Sequence, residues 1–221
     1  MTCSDRRPLL DTPSSTLIRQ RADNRYGAAL SSLYSFLAAR RSLIRSATGA
    51  RNDAYSVVTF SSSARTRVTN DFSSTPDQLL SLLLTQEEAG GTNFDAALKE
   101  AQQTMQSSFS SERAPVLIFL SDGECSVRDE TVYDICRKAV TLGKPLSFHA
   151  VSFGQDYSSS QLRRMAQLAE EVYSTAPQDQ LASTATISCS YTNAIDTIQL
   201  TETFLGIADS LTKTRASLIR G

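Results

Sequence analysis

The sequence has no tryptophan, one histidine and no apolar run long enough to cross a membrane. A transmembrane helix needs about 20 consecutive apolar residues, so we predict no transmembrane segment. The four cysteines, Cys3, Cys125, Cys136 and Cys189, form no CxxC pair, which argues against a structural zinc site. The N-terminus has no apolar core behind it. We therefore predict that no signal peptide is present and that the thiols are reduced in the cytoplasm.

Several enzyme signatures are also missing. The sequence has no GxSxG nucleophile elbow, no GxGxxG fingerprint and no Walker A loop. A Ser-His-Asp triad would have to use His149, the only histidine. His149 lies inside a predicted buried strand, and we interpret it as a core residue with a hydrogen-bond partner. We therefore predict that the protein is not an enzyme.

The overall composition is that of an ordinary globular protein. Of the 221 residues, 40% are hydrophobic and 20% are charged, which argues against disorder. The net charge of -1 gives no reason to expect a nucleic-acid or membrane partner. A chain of this length suits one α/β domain with a large core.

Apolar periodicity predicts alternating helices and strands. The predicted helices cover residues 25–44, 76–84, 94–105, 132–139, 162–169 and 191–213. The predicted strands cover residues 54–60, 66–69, 115–120 and 146–153, and a last edge strand begins at Val172 and Tyr173. This order predicts an α/β fold, Rossmann-like and doubly wound, with a mostly parallel sheet flanked by helices.

The same patterns predict three segments. Residues 1–24 are polar, Arg-rich and aperiodic, so we expect an irregular N-terminal segment. Residues 25–175 carry the alternating elements of the main domain. Residues 176–221 are expected to form a Ser/Ala/Thr-rich loop and a C-terminal helix that packs on the same domain.

Two loops stand where an α/β sheet binds ligands, beyond the carboxyl ends of its strands. One loop is Gly90–Phe94, before a predicted helix, and the other is Ser121–Glu124, after the most hydrophobic strand. They offer the Thr92 hydroxyl and the Asp122 carboxylate, and hard divalent cations prefer such oxygen ligands. Two simpler interpretations remain open: Thr92 caps its helix with Asp95 as the capping-box partner, and Asp122 serves only the turn.

The two loops, in this order and at this spacing, resemble those of the von Willebrand factor A domain family. The resemblance covers about residues 25–175. The stretches Arg25-Tyr26-Gly27-Ala28 and Lys144-Pro145-Leu146-Ser147-Phe148-His149 also look similar to intracellular fungal members of the family.

The resemblance implies a metal-ion-dependent adhesion site built from three loops. The family's first loop supplies Asp-x-Ser-x-Ser, the second a Thr and the third an Asp. By position, Thr92 and Asp122 would be the second-loop and third-loop ligands of Mg²⁺ or Mn²⁺. Asp11 and Ser15 match the ends of the first-loop motif, but Pro13 stands at its middle Ser. A carboxylate from a partner protein would fill the metal's open position.

The first loop also lacks the strand that should precede it. A second alignment starts the loop at Asp5 and keeps only that ligand, and neither alignment has about five or six apolar residues before it. We therefore expect an apparently truncated first strand and a degenerate metal site.

Two other functions stay open. One is a metal-independent scaffold with a dead site. The other is a phosphoryl-transfer hydrolase that uses Asp122 or Asp11, although neither of the two ligand-bearing loops has a Lys or Arg to hold a phosphate. Cys125, close to Asp122, is expected to be a solvent-facing thiol without chemistry.

Overall fold

A computed structural model describes residues 18, 25–46, 52–85, 91–110, 113–154, 159–177 and 188–218. In chain order its elements are α1 (Arg25–Ser46), β1 (Tyr55–Phe60), β2 (Ala64–Asp71), α2 (Pro76–Leu84), α3 (Phe94–Ser107), β3 (Val116–Ser121), α4 (Asp129–Thr141), β4 (Ser147–Phe153), α5 (Ser160–Thr175), β5 (Cys189–Ala194) and α6 (Thr197–Leu218). The described residues divide into two compact units, one drawn from 1–57, 67–89 and 194–221, the other from 58–66 and 90–193.

The second unit contains a three-stranded sheet in the order β3-β4-β5. Strands β3 and β4 are parallel, with a register that runs from Val116 opposite Ser147 to Ser121 opposite Ser152. Hydrogen bonds join β4 and its flanking residues to the β5 segment at three places: residue 147 to 188, 149 to 190, and 152 to 193. The residue numbers rise together along both segments. This third strand is therefore parallel as well, and the expected α/β class with a parallel sheet is confirmed.

One face of this sheet packs against α3, α4 and α5. The apolar run of β3 and β4 supplies the sheet side of the core, and amphipathic helices supply the other side. Buried members include Phe119, Phe148 and Ala150 from the strands and Leu98, Ile135 and Met165 from the helices.

In the first unit, α1 packs along α6. The Ser32 and Thr201 hydroxyls are 3.0 Å apart, and the Phe36 ring meets the Phe204 ring edge-on at 6.1 Å. Ile18, the only described residue before α1, joins a buried apolar cluster with Leu30, Leu80 and Leu83. This cluster joins α1 to α2.

Strands β1 and β2 form a two-stranded sheet. Only residues 61–63 connect them, and so short a connection requires an antiparallel hairpin. Its turn is closed by a hydrogen bond from the Ser61 amide to the Ser63 carbonyl, 2.8 Å long.

The C-terminal part corrects two predictions. The edge strand predicted at Val172 and Tyr173 is wrong, because both residues lie in α5 and are buried in its core. They continue the helical spacing of the preceding apolar residues, which their β-branched and aromatic character concealed. The last strand is instead β5, and the final helix begins at Thr197 rather than near residue 191.

Other predictions lie beyond the described part of the chain. The irregular segment 1–24, apart from Ile18, and the truncated first strand fall outside the described residues. The boundaries drawn at residues 24 and 175 stay a prediction. Within the described ranges, no helix is long and apolar enough to cross a membrane.

Candidate functional site

The loop before α3 presents Thr92 without using it as a cap. Gly91 has a φ of +90°, a conformation that side-chain-bearing residues rarely adopt. The N-cap of α3 is Asn93, whose side chain accepts a hydrogen bond of 2.9 Å from the Ala96 amide. The capping alternative for Thr92 is therefore wrong, and its half-buried hydroxyl has no hydrogen-bond partner among the described residues.

The loop after β3 is fixed at both ends. The buried Ser121 hydroxyl accepts a hydrogen bond of 3.2 Å from the Gly123 amide, which bends the chain around Asp122. The Glu124 carboxylate accepts one of 3.1 Å from the Ser160 amide at the start of α5. Asp122 is half-buried between these two anchors.

These two loops are neighbours. A Cβ atom built on Gly123 would lie 3.5 Å from the Thr92 hydroxyl oxygen, an ordinary van der Waals contact. The structure thus brings the Thr92 loop against the residue that follows Asp122. The other two predicted ligands, Asp11 and Ser15, lie outside the described residues.

The donor atoms of the two loops suit a hard cation. A hydroxyl and a carboxylate are oxygen ligands, and Mg²⁺ keeps several waters when the protein supplies few ligands. Within the described ranges, no group of three or more His, Cys, Asp or Glu side chains could hold a metal. A cation here would therefore depend on the Thr92 hydroxyl, on one carboxylate and on groups beyond these two loops.

Asp95 supports the site from the first turn of α3. Its carboxylate accepts hydrogen bonds from the Thr131 hydroxyl at 2.5 Å and from the Arg128 amide at 3.3 Å. Burial alone would raise the pKa of Asp95, but these hydrogen bonds and the Arg128 charge outweigh it and lower the pKa. Asp95 thus stays ionised and joins the start of α3 to the start of α4.

His149 and Cys125 play no part in these contacts. His149 is 3% exposed, and its Nδ1 lies 2.8 Å from the Ser190 hydroxyl, which confirms a core residue with a hydrogen-bond partner. Burial lowers the pKa of His149, so the neutral ring is favoured. The Cys125 thiol is half-buried and donates to the Ser126 carbonyl at 3.4 Å.

Sequence reasoning missed Ser62, in the β1–β2 turn. A Cβ atom on Gly91 would stand only 2.2 Å from the Ser62 hydroxyl oxygen, so the two residues touch closely. The Asn93 side-chain amide also donates to the Ser62 carbonyl at 3.4 Å. Three consecutive serines between two strands were a visible turn signal, but nothing local in the sequence indicated which loop they would meet.

The fold and the candidate site together define an α/β protein with a parallel sheet and with oxygen-bearing loops beyond the carboxyl ends of its strands. A family model for the von Willebrand factor type A domain matches residues 9–124, just over half of the 221-residue chain. The chain therefore belongs to the von Willebrand factor type A domain family, whose members are generally non-enzymatic protein-interaction modules.

Solved structures share this fold at low identity. Proximal thread matrix protein 1 from the mussel byssus is 14% identical with a TM-score of 0.53, over 95% of this chain and 48% of that one. The structure of the same protein with a zinc-occupied MIDAS motif is 14% identical with a TM-score of 0.53, over 95% of this chain and 49% of that one. A mutant of the PilB minor pilin from Streptococcus sanguinis is 11% identical with a TM-score of 0.56, over 87% of this chain and 56% of that one.

These likenesses show the fold alone, and this chain spans about half the length of the solved chains. No curated protein sequence matches the chain.

Proposed function

We propose that this chain is a protein-binding module that holds Mg²⁺ or Mn²⁺ between the Thr92 loop and the Asp122 loop. When bound, the cation supplies an open coordination position that a carboxylate of a partner protein takes. The observation that carries the proposal is the contact between the two loops, with the Thr92 hydroxyl 3.5 Å from the Cβ position of Gly123. Membership of a family of interaction modules supports it.

Each residue has a distinct role in this proposal. Thr92 offers a hydroxyl that no described residue uses, and Asp122 offers the negative charge that offsets the cation. Asp11 and Ser15, the first-loop residues, would complete the ligand set. The zinc-occupied motif of the mussel protein is a precedent for metal on this fold.

The cellular setting is also part of the proposal. Cys125, Cys136 and Cys189 are free thiols, as the reducing cytoplasm would keep them. A cytoplasmic location and a kinship with intracellular fungal members are proposed on this basis and on the sequence resemblance.

Thermal unfolding in EDTA, Mg²⁺ and Mn²⁺ tests the metal site. A ligand at a hundred times its Kd stabilises the folded state by about 2.7 kcal/mol, which corresponds to roughly 5–10 °C in Tm for a chain of this size. We expect this shift in the wild type and its loss in Thr92→Ala and Asp122→Ala. Asp134→Ala removes an exposed carboxylate from α4 and should keep the shift, as a matched control. A wild-type Tm that is equal in all three solutions would contradict the proposal.

A metal-independent scaffold is the second candidate. Pro13 at the family's middle first-loop Ser favours it, because that hydroxyl ligand is absent from the sequence. Partner capture that persists in EDTA and in Asp122→Ala would support this alternative.

A hydrolase that uses Asp122 or Asp11 is the alternative of another class. It would show phosphatase turnover that is lost in Asp122→Ala or Asp11→Ala. The lack of a Lys or Arg in the two ligand-bearing loops disfavours it.

A further inference from the structure

Three aromatic rings join the bases of three loops within the second unit. Phe60 lies two residues before Ser62, at the end of β1, and its ring centroid is 5.2 Å from that of Phe119 in β3. The Phe94 ring, at the start of α3, lies edge-on to both, with its centroid 6.1 Å from that of Phe60 and 5.1 Å from that of Phe119. The β1–β2 turn therefore shares its support with the Thr92 loop and the Asp122 loop.

The turn is also held to α3 by polar contacts. The Thr66 hydroxyl and amide, on β2, donate to the Glu100 carboxylate at 2.6 Å and 3.0 Å. The Thr66 hydroxyl also lies 2.9 Å from the hydroxyl of the buried Thr104. With Phe60 fixed on one strand and Thr66 on the other, the position of the intervening turn is set relative to α3.

Ser62 is the residue of this turn that meets the Thr92 loop. Its hydroxyl oxygen, amide nitrogen and Cβ lie 2.2, 3.3 and 3.4 Å from the Cβ position of Gly91. Its carbonyl accepts the hydrogen bond from Asn93 at 3.4 Å. The residues on either side of Thr92 are thus both in contact with Ser62, and a Cβ atom at position 91 would require the Ser62 hydroxyl to move.

We infer that Ser62 is a positioning residue of the site, and that the β1–β2 turn is a third wall that holds Thr92 toward the Asp122 loop. This inference rests on the proposed metal-binding function. Without the Ser62 hydroxyl, the Gly91–Asn93 segment has more conformations to lose when a cation binds, so affinity falls. Ser62 acts through Thr92 and is not itself assigned as a ligand.

Titration with Mn²⁺ alone, followed by the electron paramagnetic resonance signal of the free ion, tests this role. Ser62→Ala should weaken Mn²⁺ binding by about threefold to tenfold. Ser63→Ala, the matched control, removes an exposed hydroxyl from the same turn and should bind like the wild type. The Tm in EDTA should be the same for both variants, which separates positioning from a general loss of stability.

A double-variant cycle makes the test specific to the observed contact. Gly91→Ala should weaken binding both through its φ of +90° and through the clash with the Ser62 hydroxyl. Ser62→Ala removes the clash, so Gly91→Ala should cost less affinity in the Ser62→Ala protein than in the wild type.

The outcomes separate the inference from the proposed function. Wild-type binding that needs Thr92 and Asp122 but is unchanged in Ser62→Ala overturns the inference alone. Independent, multiplicative effects of Ser62→Ala and Gly91→Ala also overturn it. A wild type that binds no Mn²⁺ overturns the proposed function, and the inference with it.

Discussion

The Phe119 ring lies edge-on against the Phe94 ring, with centroids 5.1 Å apart and an interplanar angle of 78°. Phe94 is fully buried and begins the helix that follows Thr92, and Phe119 lies three residues before Asp122. This contact in the apolar core therefore helps to set the distance between the two candidate ligand loops. Edge-to-face pairs of this kind stabilise by about 0.5–1.5 kcal/mol beyond the area that they bury.

Truncation of Phe94 should destabilise the fold strongly. Phe94→Ala removes a fully buried ring and leaves a cavity, so we expect a loss of about 3–5 kcal/mol in the free energy of unfolding. Urea denaturation monitored by circular dichroism measures it. Phe109→Ala, at a ring that is 36% exposed, is the control and should cost less than about 1 kcal/mol. Equal losses in the two variants would contradict the assigned core.

The sequence identified the candidate loops because they follow strong local signals. An unbroken apolar run of five residues before Ser121 is typical of a central parallel strand, which places Asp122 at the carboxyl end of that strand. Strand β5 was missed because its residues are mostly small, polar and half-buried. The segment therefore shows no apolar–polar alternation from which a strand could be predicted.

The third wall of the site could not be predicted for a different reason. Ser62 and Gly91 are 29 positions apart, and their contact depends on how the hairpin packs on α3 through Thr66 and Glu100. The sequence shows a turn at Ser61–Ser63, but tertiary packing decides its neighbour. Arg40 in α1 is buried and donates to the Asp53 carboxylate. This placement was equally hidden, because an Arg in a helix is normally expected on the solvent face.

Arg40 should be essential to the stability of the first unit. It is 3% exposed, and its guanidinium donates to both oxygens of Asp53, at 2.8 Å and 3.3 Å, and to the Ala208 carbonyl at 3.0 Å. Asp53→Ala removes the carboxylate that accepts two hydrogen bonds from this buried guanidinium, so we expect a loss of about 3–5 kcal/mol in urea denaturation.

An exposed ion pair provides the comparison. Arg137 and Glu130 are 3.3 Å apart, with side chains 60% and 69% exposed, and such pairs contribute about 0–1 kcal/mol. Glu130→Ala should therefore change the free energy of unfolding by less than about 1 kcal/mol. If Asp53→Ala were as mild as Glu130→Ala, the buried Arg40–Asp53 pair would contribute no more than an exposed pair, and the expectation would be wrong.

Asp71 should make stability depend on pH in the acid range. Its carboxylate accepts hydrogen bonds from the Ser74 hydroxyl at 2.6 Å, the Ser74 amide at 2.9 Å and the Ser73 amide at 2.9 Å. The Ser74 hydroxyl is the main cause, and together the bonds lower the pKa from 3.8 to about 2. A lowered folded-state pKa gives stability that is present above the unfolded value and is lost as pH falls toward the folded value.

The pH test compares the wild type with Asp71→Asn in EDTA. The contribution of Asp71 should be complete above about pH 5 and decline toward about pH 2. Asp71→Asn cannot titrate, so its urea midpoint should fall less than that of the wild type between pH 5 and pH 2.5. Parallel declines in the two proteins would show that Asp71 has no altered pKa.

The described cysteines should differ in their reaction with iodoacetamide at pH 8. Burial raises the pKa of Cys136 to about 12 and that of Cys189 to about 11, so both remain protonated thiols. Alkylation needs the thiolate and access, and Cys136 is fully buried. Cys125 is half-buried in the loop beside Asp122, with only a weak hydrogen bond to Ser126, and should react first. Mass-spectrometric peptide mapping follows each site separately, with urea-unfolded protein as the reference in which all sites react. Modification of Cys136 in the native protein as fast as that of Cys125 would mean that the core around α4 opens to solvent, against the packing described above.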